Sequence, residues 1–108
     1  MFDAHEVAKG IVRVIGQLLA RVQEQDADLA RQLKRATQSV LLNVGEANQR
    51  LGKDRVHLFS VASGSARETL DAIEIAEAWG YVRSEETREA RALLDRELAM
   101  LWRLTHRK

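Results

Sequence analysis

The chain has 108 residues, a formal net charge of +1 and a composition that is 45% hydrophobic and 31% charged, which is typical of one folded domain and argues against disorder. It has no cysteine, so disulfides, thiolate catalysis and cysteine-ligated zinc are excluded. No apolar run approaches the roughly 20 residues that span a bilayer, and the acidic N-terminal stretch is unlike a secretory signal, so we expect a cytoplasmic protein that does not bind membranes.

Apolar residues recur at helical spacing along residues 3–25, which predicts the first helix. Asp26 is the predicted N-cap of the second helix, with Asp28 in its first turn. The apolar stripe of the second helix covers residues 29–51, and Gly52 is its predicted C-cap.

The third predicted helix covers residues 55–79. Gly80 can take the left-handed conformation that ends it, and Tyr81 or Val82 can fold back onto its last turn. Ser84 is the predicted N-cap of the fourth helix, followed by two glutamates at the positive end of its dipole. The stripe of that helix is Ala90, Leu94, Leu98, Leu101, Trp102 and Thr105.

Short connections make sequential helices antiparallel. The sequence therefore predicts an all-α, up-down-up-down four-helix bundle, with residues 1–108 in a single domain.

Several large apolar residues fall outside these core stripes on three of the helices. One such residue is ordinary, but several on three helices favour a second buried surface and hence self-association. The predicted oligomer interface is Leu41, Leu42, Val61, Ile75, Leu93 and Leu104.

The second and third helices each carry polar residues along one edge of the apolar stripe. If the two edges face each other, their side chains form a hydrogen-bonded network that fixes helix register at some cost in stability. The predicted network is Asn43, Glu46, Ser65, Glu68, Arg35 and Arg50.

Two of these residues, Glu46 and Glu68, could act as a catalytic acid and base pair if their environments differed. No Glu-x-x-His pair, phosphate loop or nucleophile motif accompanies them, so we expect no enzyme activity, no cofactor and no metal site. Gly45 and Gly64 face away from the core stripes. Each either permits close approach by a neighbouring helix or is a tolerated surface glycine.

Charge is unevenly distributed along the chain. Residues 31–57 hold six cations and two carboxylates, a formal +4, whereas residues 58–82 hold one cation and four carboxylates, a formal −3. The basic segment is either an ordinary solvated helix face or a surface that contacts phosphates. The contacts in the second case are Arg31, Lys34, Arg35, Lys53 and Arg55.

A family resemblance is carried by two stretches, LARQLKRATQSVLLNVGEANQR and FSVASGSARETLDAIEIAEAWGYV. They resemble the four-helix proteins encoded by intervening sequences of large-subunit ribosomal RNA genes, a family that includes the accessory variability determinant proteins of diversity-generating retroelements. The chain departs from the family pattern in one turn, where Gly45 and Ala47 exchange the family's alanine and glycine. The other matched positions are Gln32, Leu33, Arg35, Ala36, Ser39, Asn43, Glu46, Phe59, Gly64, Ser65, Glu68, Gly80 and Tyr81.

The resemblance implies a ring-like homopentamer without enzyme activity that binds nucleic acid, RNA or DNA, and a protein partner such as a reverse transcriptase. A pI near 8.2 is low for a dedicated nucleic-acid binder. The alternative is therefore a purely structural homo-oligomer whose polar network sets its register.

Overall fold

The helices begin and end at short segments of polar residues or glycine. In the computed structural model, which describes residues 3–106, α1 spans Ala4–Gln25, α2 spans Ala27–Ala47, α3 spans Gly52–Ala78 and α4 spans Arg88–Thr105. A 3₁₀ turn, Ser84–Thr87, precedes α4. Within residues 3–106 there is no strand.

The predicted cap between α1 and α2 is confirmed. The Asp26 carboxylate accepts a hydrogen bond from the Leu29 backbone N–H at 3.0 Å, and its own N–H donates to the Val22 carbonyl. A single residue thus ends one helix and caps the next, so the chain reverses direction within one residue.

The predicted end of α2 is wrong by one turn. The helix stops at Ala47, and the N–H groups of Gln49 and Arg50 fold back onto the last carbonyls at 3.0 Å each. Leu51 continues the apolar spacing in sequence, but it lies in an extended turn and is 88% exposed. Gly52, with φ of +61°, is the first residue of α3 and not the C-cap of α2.

The predicted end of α3 is confirmed. Gly80 has φ of +78°, its N–H donates to the Glu77 carbonyl at 2.9 Å, and the Tyr81 N–H donates to the Ala76 carbonyl at 2.8 Å. This bonding pattern is the Schellman motif, which needs a residue that tolerates positive φ. Val82 then folds back and is buried.

Two expectations for the fourth helix are wrong. The Glu86 carboxylate, and not the Ser84 side chain, closes the turn by accepting from the Arg83 N–H at 2.8 Å, and α4 starts only at Arg88. Trp102 is 60% exposed because only its neighbour Leu101 can face the core, since adjacent helical residues point about 100° apart. The indole stacks on the His106 ring instead, with centroids 4.2 Å apart.

Each helix packs mainly against its neighbours in sequence, and α1 also packs against α4, so the four helices close around one core. This all-helical arrangement agrees with the predicted four-helix bundle, and its principal extents are 43 × 23 × 19 Å. The core has a large apolar cluster, centred on Ile11, Leu33, Ile73 and Leu94, and a smaller one around Phe59 at the end where α3 begins.

Candidate interaction surfaces

The polar edges of α2 and α3 meet through Ser39. The Asn43 amide donates to the carbonyl and hydroxyl oxygens of Ser39 at 2.8 and 3.0 Å, and the Ser65 hydroxyl donates to the Ser39 hydroxyl at 2.7 Å. Ser39 lies on the predicted edge but is absent from the predicted network. The structure thus brings Asn43 and Ser65 together, but through a third residue.

The other four residues of the predicted network do not join this group. Arg50 pairs with Glu46 at 2.6 Å on the exposed surface one turn further along α2. Arg35 and Glu68 are exposed and line a cavity of about 290 Å³ beside Ser39. The six residues therefore form separate groups, and their role in setting register stays a prediction.

Glu46 and Glu68 are not brought into one site. Glu46 lines a cavity on the α1 side of α2 together with His5 and Gln49, whereas Glu68 lines the cavity between α2 and α3. The arrangement supplies no shared position for a substrate between the two carboxylates.

The basic residues lie in two groups near opposite ends of α2. Arg31, Lys34 and Arg35 are exposed in its first half, and Arg31 pairs with Asp28. Lys53 and Arg55 follow its C-terminal end, about 18 Å further along the helix axis.

Arg55 is largely committed to contacts within the chain. Its guanidinium donates to the Ala47 carbonyl at 3.3 Å and lies 4.9 Å from the centroid of the Phe59 ring. It therefore satisfies the C-terminal end of α2 and covers the smaller core cluster.

The six residues of the predicted oligomer interface divide equally by exposure. Leu42, Val61 and Ile75 are 70, 38 and 44% exposed on α2 and α3. The other three, Leu41, Leu93 and Leu104, are partly buried against the core of their own chain. The exposed three are the apolar residues that remain for contact with another molecule.

Two grooves run along the bundle on either side of α2. The α1–α2 groove, of about 460 Å³, is lined by Leu19, Ala20, Gln23, Ala27, Ala30, Arg31 and Lys34. The α2–α3 groove, of about 210 Å³, is lined by Leu29, Gln32, Ala36, Glu68, Asp71, Ala72 and Ile75.

Sequence reasoning missed the most unusual ionisable group of the molecule, Glu97 in α4. Its side chain is fully buried, and neither carboxyl oxygen has a hydrogen-bond partner within the described part of the chain. Burial, with a smaller contribution from the negative charge of Asp3, raises the pKa of Glu97 to about 8. Its place between the core residues Leu94 and Leu101, at spacings of three and four, was the available signal.

Gly45 lies at the edge of the contact between α1 and α2. A methyl group added there would meet the His5 ring at 3.9 Å, which is an ordinary van der Waals distance, and one added at Gly64 would meet nothing within 4 Å. Among residues 3–106, no close approach requires a glycine at either position.

Residues 3–106 hold no group of three or more His, Asp or Glu side chains that is placed to bind a metal ion. Over the same residues, no helix is long and apolar enough to cross a membrane.

Comparisons with known proteins agree with this architecture. The family described as 23S rRNA-intervening sequence protein matches residues 2–103. A crystal structure of a protein with unknown function from the S23 ribosomal protein family of Bacteroides thetaiotaomicron is similar with a TM-score of 0.87. The two sequences are 17% identical, and the alignment covers 95% of this chain and 98% of the other, so this likeness shows the fold. No curated protein matches the chain.

Proposed function

The chain belongs to the 23S rRNA-intervening sequence protein family, and we propose that it is a non-enzymatic homo-oligomeric adaptor that binds nucleic acid. The resemblance of its sequence motifs favours a ring-like homopentamer. The adaptor has two parts, a surface that holds copies together and a basic surface that contacts phosphates.

The observation that carries the proposal is the exposure of Leu42, Val61 and Ile75 on two adjacent helices. Fully burying an aliphatic side chain of this kind contributes about 1.5–3 kcal/mol. Three such side chains, one on α2 and two on α3, supply a useful part of the free energy of an interface, and they need no rearrangement to do so.

Light scattering of the purified protein at micromolar concentration tests the assembly. We expect an oligomer for the parent and a smaller species for Leu42→Asp, because a carboxylate placed in an apolar contact must lose its water. Leu51→Asp is the matched control, since Leu51 is also exposed but lies outside the predicted interface. A monomeric parent, or equal dissociation of both variants, would contradict the proposal.

The nucleic-acid part rests on the exposed cations Lys34, Arg35 and Lys53. A filter-binding titration with a structured RNA at low and moderate salt tests it, because each phosphate contact steepens the loss of affinity with salt. We expect Arg35→Ala and Lys53→Ala each to reduce that slope by about one unit. Arg13→Ala, an exposed arginine on α1, is the control that should not change it.

A reverse transcriptase is the protein partner suggested by the resemblance to accessory variability determinant proteins. A reverse transcriptase gene and a variable-protein template repeat beside the gene for this chain would support this part. A position inside a ribosomal RNA operon, without a reverse transcriptase, would remove it.

The second proposed role is a purely structural homo-oligomer. It is favoured by the hydrogen bonds from Asn43 and Ser65 to Ser39, which connect α2 to α3. The side chains of these three residues form no other hydrogen bond in the described chain. Under this role, Ser65→Ala lowers the melting temperature or breaks the oligomer, and the parent shows no salt-dependent RNA binding.

A further inference from the structure

Opposite charges lie without partners in the two grooves that flank α2. Lys34 in the α1–α2 groove forms no ion pair with any residue of 3–106, and the same holds for Glu68 and Asp71 in the α2–α3 groove. Arg31, beside Lys34, is already held by Asp28. The bundle therefore presents a basic groove and an acidic edge on different faces.

Each charged surface has an apolar counterpart. Beside Lys34, the α1–α2 groove is lined by the small residues Ala20, Ala27 and Ala30, which leave space for a protruding side chain. Beside Glu68 and Asp71, Ile75 is 44% exposed. The basic face thus has a cavity beside its positive charge, and the acidic face has an exposed aliphatic side chain beside its negative charges.

The two surfaces lie at the same level along the bundle. The α1–α2 groove uses α2 residues 27–34, and the α2–α3 groove uses α2 residues 29–36. Two copies can therefore stand side by side with their axes parallel and without a shift along the axis.

We propose that the acidic edge of α3, formed by Glu68, Asp71 and Ile75, docks into the α1–α2 groove of a second copy. The carboxylates then approach Lys34 of that copy, and Ile75 enters the space beside its alanines. This inference rests on the homo-oligomer of the proposed function and identifies the surfaces that build it.

The contact is head-to-tail, because each copy contributes two different surfaces. Such a contact closes into a ring if the rotation between copies closes, and otherwise grows into a filament. Closure needs no shift along the bundle axis, and the common level of the two surfaces meets this requirement. Lys34 is then an assembly residue, which leaves Arg35 and Lys53 for nucleic acid.

Charge reversal with a compensating second change tests the contact. We expect Lys34→Glu and Asp71→Lys each to raise the dissociation midpoint of the oligomer at least about tenfold, because each places like charges opposite each other. The double variant Lys34→Glu/Asp71→Lys restores one pair of opposite charges in every contact while Glu68 stays opposite position 34, so its midpoint should fall well below that of either single variant. Light scattering over a dilution series measures the midpoint, and helical circular dichroism confirms that each variant is folded.

The matched control is Lys34→Glu/Glu89→Lys, which restores the net charge on α4, away from the proposed contact. It should stay as dissociated as Lys34→Glu alone. Single variants that assemble like the parent, or a control that restores assembly as well as the double variant, overturn this contact while the oligomer itself stands. A monomeric parent would instead overturn the oligomer on which the contact depends.

Discussion

Glu97 is a buried carboxyl group placed where the helix pattern asks for an apolar residue. The two core clusters lie on either side of it along α4, with Leu94 in one and Leu101 in the other. Because neither oxygen has a hydrogen-bond partner among residues 3–106, the group stays in its neutral, protonated form until the pH passes its raised pKa of about 8.

The stability of the fold should consequently fall as pH rises. Between the ordinary value of 4.5 and about 8, the folded state retains the Glu97 proton and the unfolded state releases it. Unfolding then releases a proton, so the free energy of unfolding decreases across this range and levels off above it. Glu97→Gln cannot ionise, and we expect it to be more stable than the parent at pH 9 by at least about 1 kcal/mol.

Denaturant titrations at pH 5 and pH 9 measure this difference, with Glu24→Gln as the control at an exposed carboxylate. An equal loss of stability in the parent and in Glu97→Gln between the two pH values would contradict the assignment.

Gly45 is a helical glycine without a steric reason within the chain. Gly45→Ala removes backbone freedom from the unfolded state and meets only the His5 ring at an ordinary distance, so we expect α2 to be stabilised by about 0.5–1 kcal/mol. Chemical denaturation of the parent and the variant measures this. A more stable variant that no longer assembles would show that the glycine serves a contact between chains.

At the level of the helices, Asp26 ties together the two turns at one end of the bundle. Its carboxylate caps α2 by accepting a hydrogen bond from the Leu29 N–H, and it also accepts a hydrogen bond from the Tyr81 hydroxyl at 3.1 Å. Partial desolvation and this carboxylate raise the pKa of Tyr81. The turn between α1 and α2 is thereby linked to the turn after α3.

Removing this carboxylate should therefore lower the stability of the fold by more than the loss of an ordinary N-cap would. Asp26→Ala loses the N-cap, worth about 1 kcal/mol, and also the link to the second turn. Tyr81→Phe loses only the link and should be the milder change. Thermal unfolding of Asp26→Ala, Tyr81→Phe and the double variant checks this, and a double variant as unstable as the sum of both single changes would show that the two groups do not interact.

The helix ends that the sequence predicts correctly are those with a local stop signal. Asp26 caps α2 and Gly80 ends α3 through contacts with residues that are close in sequence, so both helix ends can be predicted from sequence. Leu51 keeps the apolar spacing but is exposed, because the chain must turn before it to bring α3 back along α2. Glu97 could not be assigned from its type alone, since a glutamate is normally exposed and its burial depends on helices distant in sequence.

For the candidate surfaces, the sequence predicts which residues lie outside the core face of a helix, but it does not predict which other helix packs against them. Leu42 and Leu93 both fall outside the core stripes, yet Leu42 is exposed whereas Leu93 packs on the core and lies 3.6 Å from where a methyl group on Gly10 would sit. The difference depends on which helix lies alongside, and that is a property of the assembled bundle.

For the whole molecule, assembly and folding should be linked. If only folded chains assemble into the oligomer, the melting temperature rises with protein concentration. We expect an increase of several degrees between 2 and 200 µM for the parent (roughly, since each kcal/mol shifts a domain of this size by about 4–8 °C). Differential scanning calorimetry at the two concentrations tests this, and Leu42→Asp should show a smaller increase. A concentration-independent parent would contradict the linkage.

The two grooves share α2, and this sharing determines where each helix would stand in a ring. Neighbouring faces of a four-helix bundle meet at about 90°. Closed rings require about 90° between contact faces for four members and about 72° for five, so a small ring fits and a large one does not. The two contact faces meet at α2, so α2 is the corner of the bundle that points to the centre of such a ring. Copies of α2 would then line its central opening, with the exposed side chain of Arg35 facing the axis and α4 outermost.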